Sequence, residues 1–245
     1  MNILTLNPLI EALKGKVPIN KVFISNTRGG KKVGIILDLC RKNKVAYQFV
    51  PQQTITRKAG PNNQGVFAEI APVSFFSLDD ILNQITTGII LILDRINDTG
   101  NLGAIIRSAV AADVDGIIIS KRHSAPINET VLNTSAGTLL NAKLCRSSNL
   151  LNTIKRLKMQ KFWIVGTTKE EKLPYYNYDF SDKTAIILGS EQQGISQLLV
   201  KAADTLVSIP HSLKVESLNV SAAASVILFE ILRQKSLNQK NTDQE

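Results

Sequence analysis

Five short runs rich in Ile, Leu and Val limit what this chain can become: Ile89–Leu93, Gly116–Ser120, Phe162–Gly166, Ala185–Leu188 and Leu206–Ile209. A strand with one wet face alternates apolar and polar residues. A continuous apolar run instead suits a strand covered on both faces, as in a parallel sheet flanked by helices. Helical patterns fill the gaps between the runs. Leu102, Ile105, Ile106, Ala109 and Val110 fall at i, i+3, i+4, i+7 and i+8, which defines one buried helix face. The reading is a parallel-sheet α/β domain over residues 89–235.

A smaller α/β unit precedes it, over residues 1–75. A helical stretch, Asn7–Leu13, leads to a strand at Lys21–Ser25. Val33, Ile36, Leu37 and Cys40 then predict a helix over Val33–Asn43, followed by a strand at Val45–Val50. Arg57–Gly65 is polar, basic and turn-rich, and is expected to form an exposed loop. Residues 76–88 read as a linker, with Ser77 capping a short helix. Residues 236–245 are polar and expected to fray.

The 245 residues carry 29 Lys+Arg against 20 Asp+Glu, a formal net charge of +9. That balance favours a polyanionic partner, of which nucleic acid is the commonest. Cys40 and Cys145 lie far apart, and His123 and His211 are the only histidines. This set offers neither a disulfide framework nor a zinc-ligand spacing, and no metal is expected. No apolar run approaches the roughly 20 residues that span a bilayer, and the first residues lack the basic start and apolar core of a signal peptide. A cytoplasmic setting is expected.

Three stretches place polar residues where strands turn into helices. In Asp94–Ala109 a strand ends, a glycine-bearing turn follows, and Asn101 is a fitting N-cap. Arg107 lies off the apolar stripe. It is either a solvated surface arginine or a cation facing the carboxyl end of the strands, where ligands of open α/β sheets bind. In Ala185–Ile195, Gly189 and Gly194 bracket a turn with Glu191 between them. No Lys-Ser or Lys-Thr follows Gly194, which excludes a phosphate-cradling loop. Glu191 also stands where the dinucleotide fingerprint needs glycine. A carboxylate there repels a pyrophosphate and suits ammonium, sulfonium or hydroxyl groups; alternatively, Glu191 caps the next helix. In Val207–Ser221, Pro210 ends a strand, and after a loop a helix opens near Ser217–Asn219. Its apolar residues cover two sides, Val220, Ala224, Ile227 and Ile231 on one and Val226 and Phe229 on another, so it is expected to be buried against more than one surface.

Together and in this order, the three stretches resemble the SpoU (TrmH-like) family of RNA ribose methyltransferases, within the SPOUT superfamily. The family's motifs read Asn-x-Gly followed by Arg, Gly-x-Glu-x-x-Gly, and Ile-Pro with Glu-Ser-Leu-Asn-Val-Ser after it. Here they correspond to Asn101, Gly103 and Arg107; Gly189, Glu191 and Gly194; and Ile209, Pro210 and Glu216 through Ser221. The resemblance spans about Ile89–Arg233. Asn7-Pro8, Glu11-Ala12-Leu13 and Asn63-Gln64-Gly65 also resemble the family's substrate-binding domain, and the layout is most similar to the subgroup that methylates a guanosine of large-subunit ribosomal RNA. Three positions depart from the pattern: His211 replaces a methionine, Leu213 a glycine, and Asn63 a histidine.

The resemblance implies a C-terminal trefoil knot, S-adenosylmethionine as methyl donor, and a homodimer built through the catalytic domain. It implies cofactor contacts from backbone around Gly189, Ile209 and Leu218, with Asn101, Glu191, Ser217 and Asn219 organising the site. It makes Arg107 the catalytic arginine, as a general base or as a charged clamp on the target phosphate and the developing alkoxide. Since guanidinium groups stay protonated in proteins, the clamp is the simpler chemistry. Arg28-Gly29-Gly30-Lys31-Lys32 and Arg57-Lys58 are expected to meet RNA phosphates. Ribosomal RNA is the expected substrate; transfer RNA, or an RNA-binding scaffold without catalysis, are the alternatives.

Overall fold

The computed structural model describes residues 1–169, 171–180, 183–212 and 214–242, with side chains through residue 237. The chain divides into two compact units, Met1–Ser74 with Ile127–Asn141, and Phe75–Pro126 with Ala142 onward.

The first unit holds β1 (Asn2–Ile3), α1 (Leu6–Lys14), β2 (Ile19–Ser25), α2 (Lys31–Lys42), β3 (Ala46–Val50), α3 (Gln52–Ala59) and β4 (Val66–Ile70). Its sheet runs β1-β4-β2-β3, with β2 and β3 parallel and β4 antiparallel to its neighbours. Along β2, Val22 and Ile24 are fully buried on one face, while Phe23 on the other packs with Phe67 and with Ile55 of α3. The exposed loop expected from Arg57 is helical at its start, because α3 carries Arg57 and Lys58 in its last turn. Ile55 is the one residue α3 buries, too little to leave a helical period in the sequence. Two strands lie beyond the sequence reading: β1, which has only two residues, and β4, which is short although it buries all but Glu69.

The chain then forms α4 (Leu78–Leu82), β5 (Ile89–Asp94), α5 (Thr99–Ala111), β6 (Gly116–Ser120), α6 (Glu129–Thr134), β7 (Leu144–Ser147), α7 (Leu150–Met159), β8 (Trp163–Thr167), β9 (Thr184–Gly189), α8 (Gln197–Ala202), β10 (Thr205–Val207) and α9 (Val220–Thr242). Residue range 127–141, which the sequence places in the larger domain, packs instead with the first unit. There Asn133 Oδ1 accepts from the Thr5 hydroxyl at 2.8 Å and Glu129 Oε1 from the Asn2 N–H at 3.0 Å. These pairings span more than a hundred residues, and no local pattern announces them.

The second unit is the expected parallel sheet, in the order β10-β8-β9-β5-β6-β7. Every residue of β5 is buried, as its continuous aliphatic run requires of a central strand. The register sets Asp94 beside Gly189, so the loops leaving β5 and β9 emerge together. From β5 the chain first builds outward through β6 and β7, then returns to the other side to lay down β8, β9 between β8 and β5, and β10 at the edge. The crevice at that reversal is where open α/β sheets bind ligands.

Two polar devices fix the start of this unit. Ser77 and Asp80 form a capping box at α4, and the Ser77 hydroxyl and backbone N–H hold the Asp80 carboxyl below its ordinary pKa. Asp115 is buried, yet it accepts from the hydroxyls and backbone N–H groups of Thr86 and Thr87 and from the N–H of Gly88 and Ile89. Burial pushes its carboxyl up, but the hydrogen bonds from Thr86 and Thr87 outweigh that and hold it down. Much of the segment read as a frayed tail is helical, since α9 continues to Thr242; residues 243–245 lie outside those described.

Candidate active site

At the carboxyl ends of β8, β9 and β10 lies a cavity of about 1070 Å³. Gly189, Glu191, Ile209, Ser217 and Leu218 all line it, so the second and third motifs meet there. Leu188, Ile195, Val200, Leu206 and Val220 supply apolar wall, and Lys169 and His211 are its only basic side chains among the described residues. Lys169 lies 3.7 Å from Glu216 across the rim.

Gly189 is required sterically. A Cβ there would lie 2.0 Å from the Gly194 carbonyl carbon and 2.2 Å from the Ile195 nitrogen, so no side chain fits without moving backbone. Gly194 is needed for another reason, its φ of +60°, which side-chain-bearing residues rarely adopt. The Gly194 N–H donates to Ser190 O at 2.8 Å, closing the turn that carries Glu191.

The first motif joins the other two through Glu191. Its Oε1 accepts from Asn219 Nδ2 at 2.5 Å, from the Val220 N–H at 3.2 Å and from Asn101 Nδ2 at 3.3 Å. Asn219 Nδ2 also donates to Asn101 Oδ1 at 2.9 Å. One carboxylate oxygen thus gathers residues separated by 90 and 28 positions in the chain. The capping reading of Glu191 is met in altered form: it caps α9, through the Val220 N–H, rather than the α8 that follows it. Asn219 completes that cap, its Oδ1 accepting from the Ser221 N–H at 2.9 Å.

Asn101 is not the N-cap of α5. Asp98 takes that role, accepting from the Asn101 N–H at 2.6 Å. The run Asn97-Asp98-Thr99 offered three cap-forming residues just upstream, a signal that could have found it. With Asp98 as the cap, Asn101 lies in the first turn of α5, and its side chain reaches Glu191.

Arg107 is exposed on α5, with no hydrogen bond or ion pair among the described residues, and it does not line the cavity. Ser217 is exposed at the cavity mouth. Leu213, whose departure from glycine bears on the loop before α9, lies outside the described residues. His211 lines the cavity, with Nδ1 2.8 Å from the Ile209 carbonyl oxygen. Arg95 and Gln193 were not singled out in the sequence. Arg95 follows β5 at φ +59° and donates to Gln193 Oε1 at 2.5 Å and to Gly194 O at 3.2 Å.

The donor set suits a ligand with an apolar ring system and hydrogen-bonding or cationic groups. Carboxylates at Glu191 and Glu216 and the scarcity of cations disfavour a polyphosphate. Among the described residues no group of three or more His, Cys, Asp or Glu could hold a metal ion, and no helix is long and apolar enough to cross a membrane.

Comparison with known proteins agrees in both units. Residues 88–229 match the SpoU rRNA Methylase family, and residues 6–76 match the RNA 2′-O ribose methyltransferase substrate binding family. A TrmH family tRNA/rRNA methyltransferase of Staphylococcus saprophyticus is 37% identical over 230 residues, covering 92% of each chain. The TrmH family tRNA/rRNA methyltransferase YacO of Bacillus subtilis is 30% identical over 234 residues, covering 94% of each. Among solved structures, the SpoU methyltransferase AviRb of Streptomyces viridochromogenes, in complex with the cofactor AdoMet, superposes with a TM-score of 0.79 at 22% identity, over 96% of this chain and 90% of that one. An AdoMet-bound rRNA methyltransferase of Sinorhizobium meliloti gives 0.73 at 25% identity, over 95% and 86%. By fold, by motif and by descent, the chain belongs to the SpoU family of RNA 2′-O-ribose methyltransferases.

Proposed function

We propose that this protein methylates a ribose 2′-hydroxyl of ribosomal RNA, a guanosine of the large subunit, with S-adenosylmethionine as donor. The observation that carries the reading is the convergence of Asn101, Asn219 and Glu191 beside a cavity lined by Gly189, Ile209 and Leu218.

S-adenosylmethionine, when bound, supplies a methyl group made electrophilic by its sulfonium. Backbone at Gly189, Ile209 and Leu218 is placed to hold that donor, and the apolar wall to exclude water around it. Glu191, pinned by Asn101 and Asn219, fixes the turn between β9 and α8 against the start of α9. Such fixed placement contributes rate by holding the reacting groups in line. Arg107 acts as a charged clamp: unpaired and exposed, it is available to an RNA phosphate and to the oxygen on which charge develops. No strong base is needed beside it.

The protein works as a homodimer through its second unit, whose C-terminal segment makes the family's trefoil knot. Phe229, 47% exposed on a helix otherwise apolar on two sides, supports a partner there. Arg28, Lys31, Lys32, Arg57 and Lys58 on the first unit meet phosphates of the substrate, and the substrate-binding match over that unit supports this. The net charge of +9 suits an enzyme whose substrate is RNA, and a cytoplasmic setting belongs to this reading.

Mapping 2′-O-methyl groups in total RNA with and without the gene tests the reading. Loss of one guanosine methyl group in large-subunit RNA is expected. Loss confined to transfer RNA would move the substrate, and an unchanged map together with no uptake of S-adenosylmethionine would leave an RNA-binding scaffold.

A further inference from the structure

The turn that walls the cavity, residues 190–196, is gripped from outside by two neighbouring residues at the end of β5. Asp94, buried, accepts from the Ser196 N–H through Oδ2 at 2.8 Å. Arg95 reaches the turn at Gln193 Oε1 and Gly194 O, and its Nη2 lies 3.4 Å from Asp94 Oδ2. Ser190, Gln192, Gln193, Gly194 and Ile195 all face the cavity, whereas Arg95 does not line it.

Arg95 sits there at a cost. Its φ of +59° is left-handed, a conformation that glycine or asparagine adopts more readily, and its Nε–H is buried with no partner among the described residues. Strain and an unpaired buried donor on one residue, next to a ligand cavity, are the marks of a residue kept for function. Most of the turn is exposed, with Ile195 as its buried anchor. Without an external tie, the turn would have to be ordered whenever a ligand enters, and that ordering would subtract from affinity.

We propose that Arg95 is a positioning residue for the methyl donor: through Gln193 and Gly194 it holds the 190–195 wall in its binding-ready shape before the donor arrives. This rests on the reading of the cavity as the donor site. It assigns Arg95 no contact with substrate and no part in bond making.

The test uses the full-length protein and its Arg95→Gly, Gln193→Ala and doubly substituted forms, with Arg41→Ala as a remote control. Calorimetric titration with S-adenosylmethionine gives affinity, and amide hydrogen exchange at residues 190–196 gives the order of the turn. Each single substitution should raise the Kd about tenfold, equivalent to about 1.4 kcal/mol. The double form should be no weaker than the weaker single, because both break the same tie. Exchange in the turn should quicken in Arg95→Gly, while the melting temperature holds because glycine relieves the strained φ. Wild-type affinity and exchange in Arg95→Gly, or full additivity in the double form, would overturn the proposal. If the unsubstituted protein takes up no donor, the donor reading fails, and the exchange arm alone decides whether Arg95 orders the turn.

Discussion

Replacing Gly189 by alanine adds one methyl group where backbone already stands. The new carbon would sit 2.0 Å from Gly194 C, 2.1 Å from Gly194 O and 2.2 Å from Ile195 N. None of these atoms can turn aside by changing a rotamer, so either the end of β9 or the whole turn must move. Overpacking costs typically about 1–3 kcal/mol, and a clash with backbone belongs at the upper end. For a chain of this size, about 3 kcal/mol corresponds to a fall of roughly 6–12 °C in melting temperature. Gly194→Ala provides the internal comparison. A Cβ there meets nothing within 4 Å, and only the left-handed φ of +60° is penalised. That costs about 1 kcal/mol, or roughly 2–4 °C. Calorimetry of the two variants, with titration of S-adenosylmethionine into each, checks the ratio. Gly189→Ala should melt lowest and lose donor binding, because the displaced turn forms the cavity wall. Equal losses in the two variants, or a Gly189→Ala protein that melts and binds as the parent does, would refute the steric argument.

Glu191→Ala leaves Asn101, Asn219 and the Val220 N–H without their shared acceptor, and should cost about 1–2 kcal/mol in thermal unfolding along with methyl transfer. Glu191→Gln, which keeps an Oε1 acceptor, should recover part of both. Arg107→Lys should retain partial methylation with little change in donor affinity if the cation clamps a phosphate; activity climbing with pH through the lysine range would instead mark it as the base. Asp115 has its folded pKa depressed, so its contribution is present above the ordinary carboxyl range and is lost as pH falls below about 4 through the folded value. Asp115→Asn should therefore lower stability at neutral pH by about 1–3 kcal/mol and flatten the acid limb of a melting-temperature profile. An acid limb as steep as the parent's would count against that role.

The second unit was largely legible in the sequence because its strands are short aliphatic runs and its helices are amphipathic. Both patterns record, residue by residue, which side faces the core. The glycines of the second motif and the small and polar residues around Asn219 were legible for the same reason: each answers a local backbone demand, a turn or a helix start. Elements with little to bury left no such record. α3 buries Ile55 alone, and β1 has two residues.

What the tertiary structure alone decided is which distant residues share a partner. Local residues offer Asp98 as the cap of α5, but nothing near it in the chain shows that Asn101 then meets Glu191 from 90 positions away. Nor does any local pattern send residues 127–141 to the first unit, or turn Arg95 onto the loop of another strand. Periodicity reports burial, which each residue carries in its own chemistry. Hydrogen bonds among polar side chains depend on where two strands end side by side, as Asp94 and Gly189 do, and that register exists only once the sheet has formed.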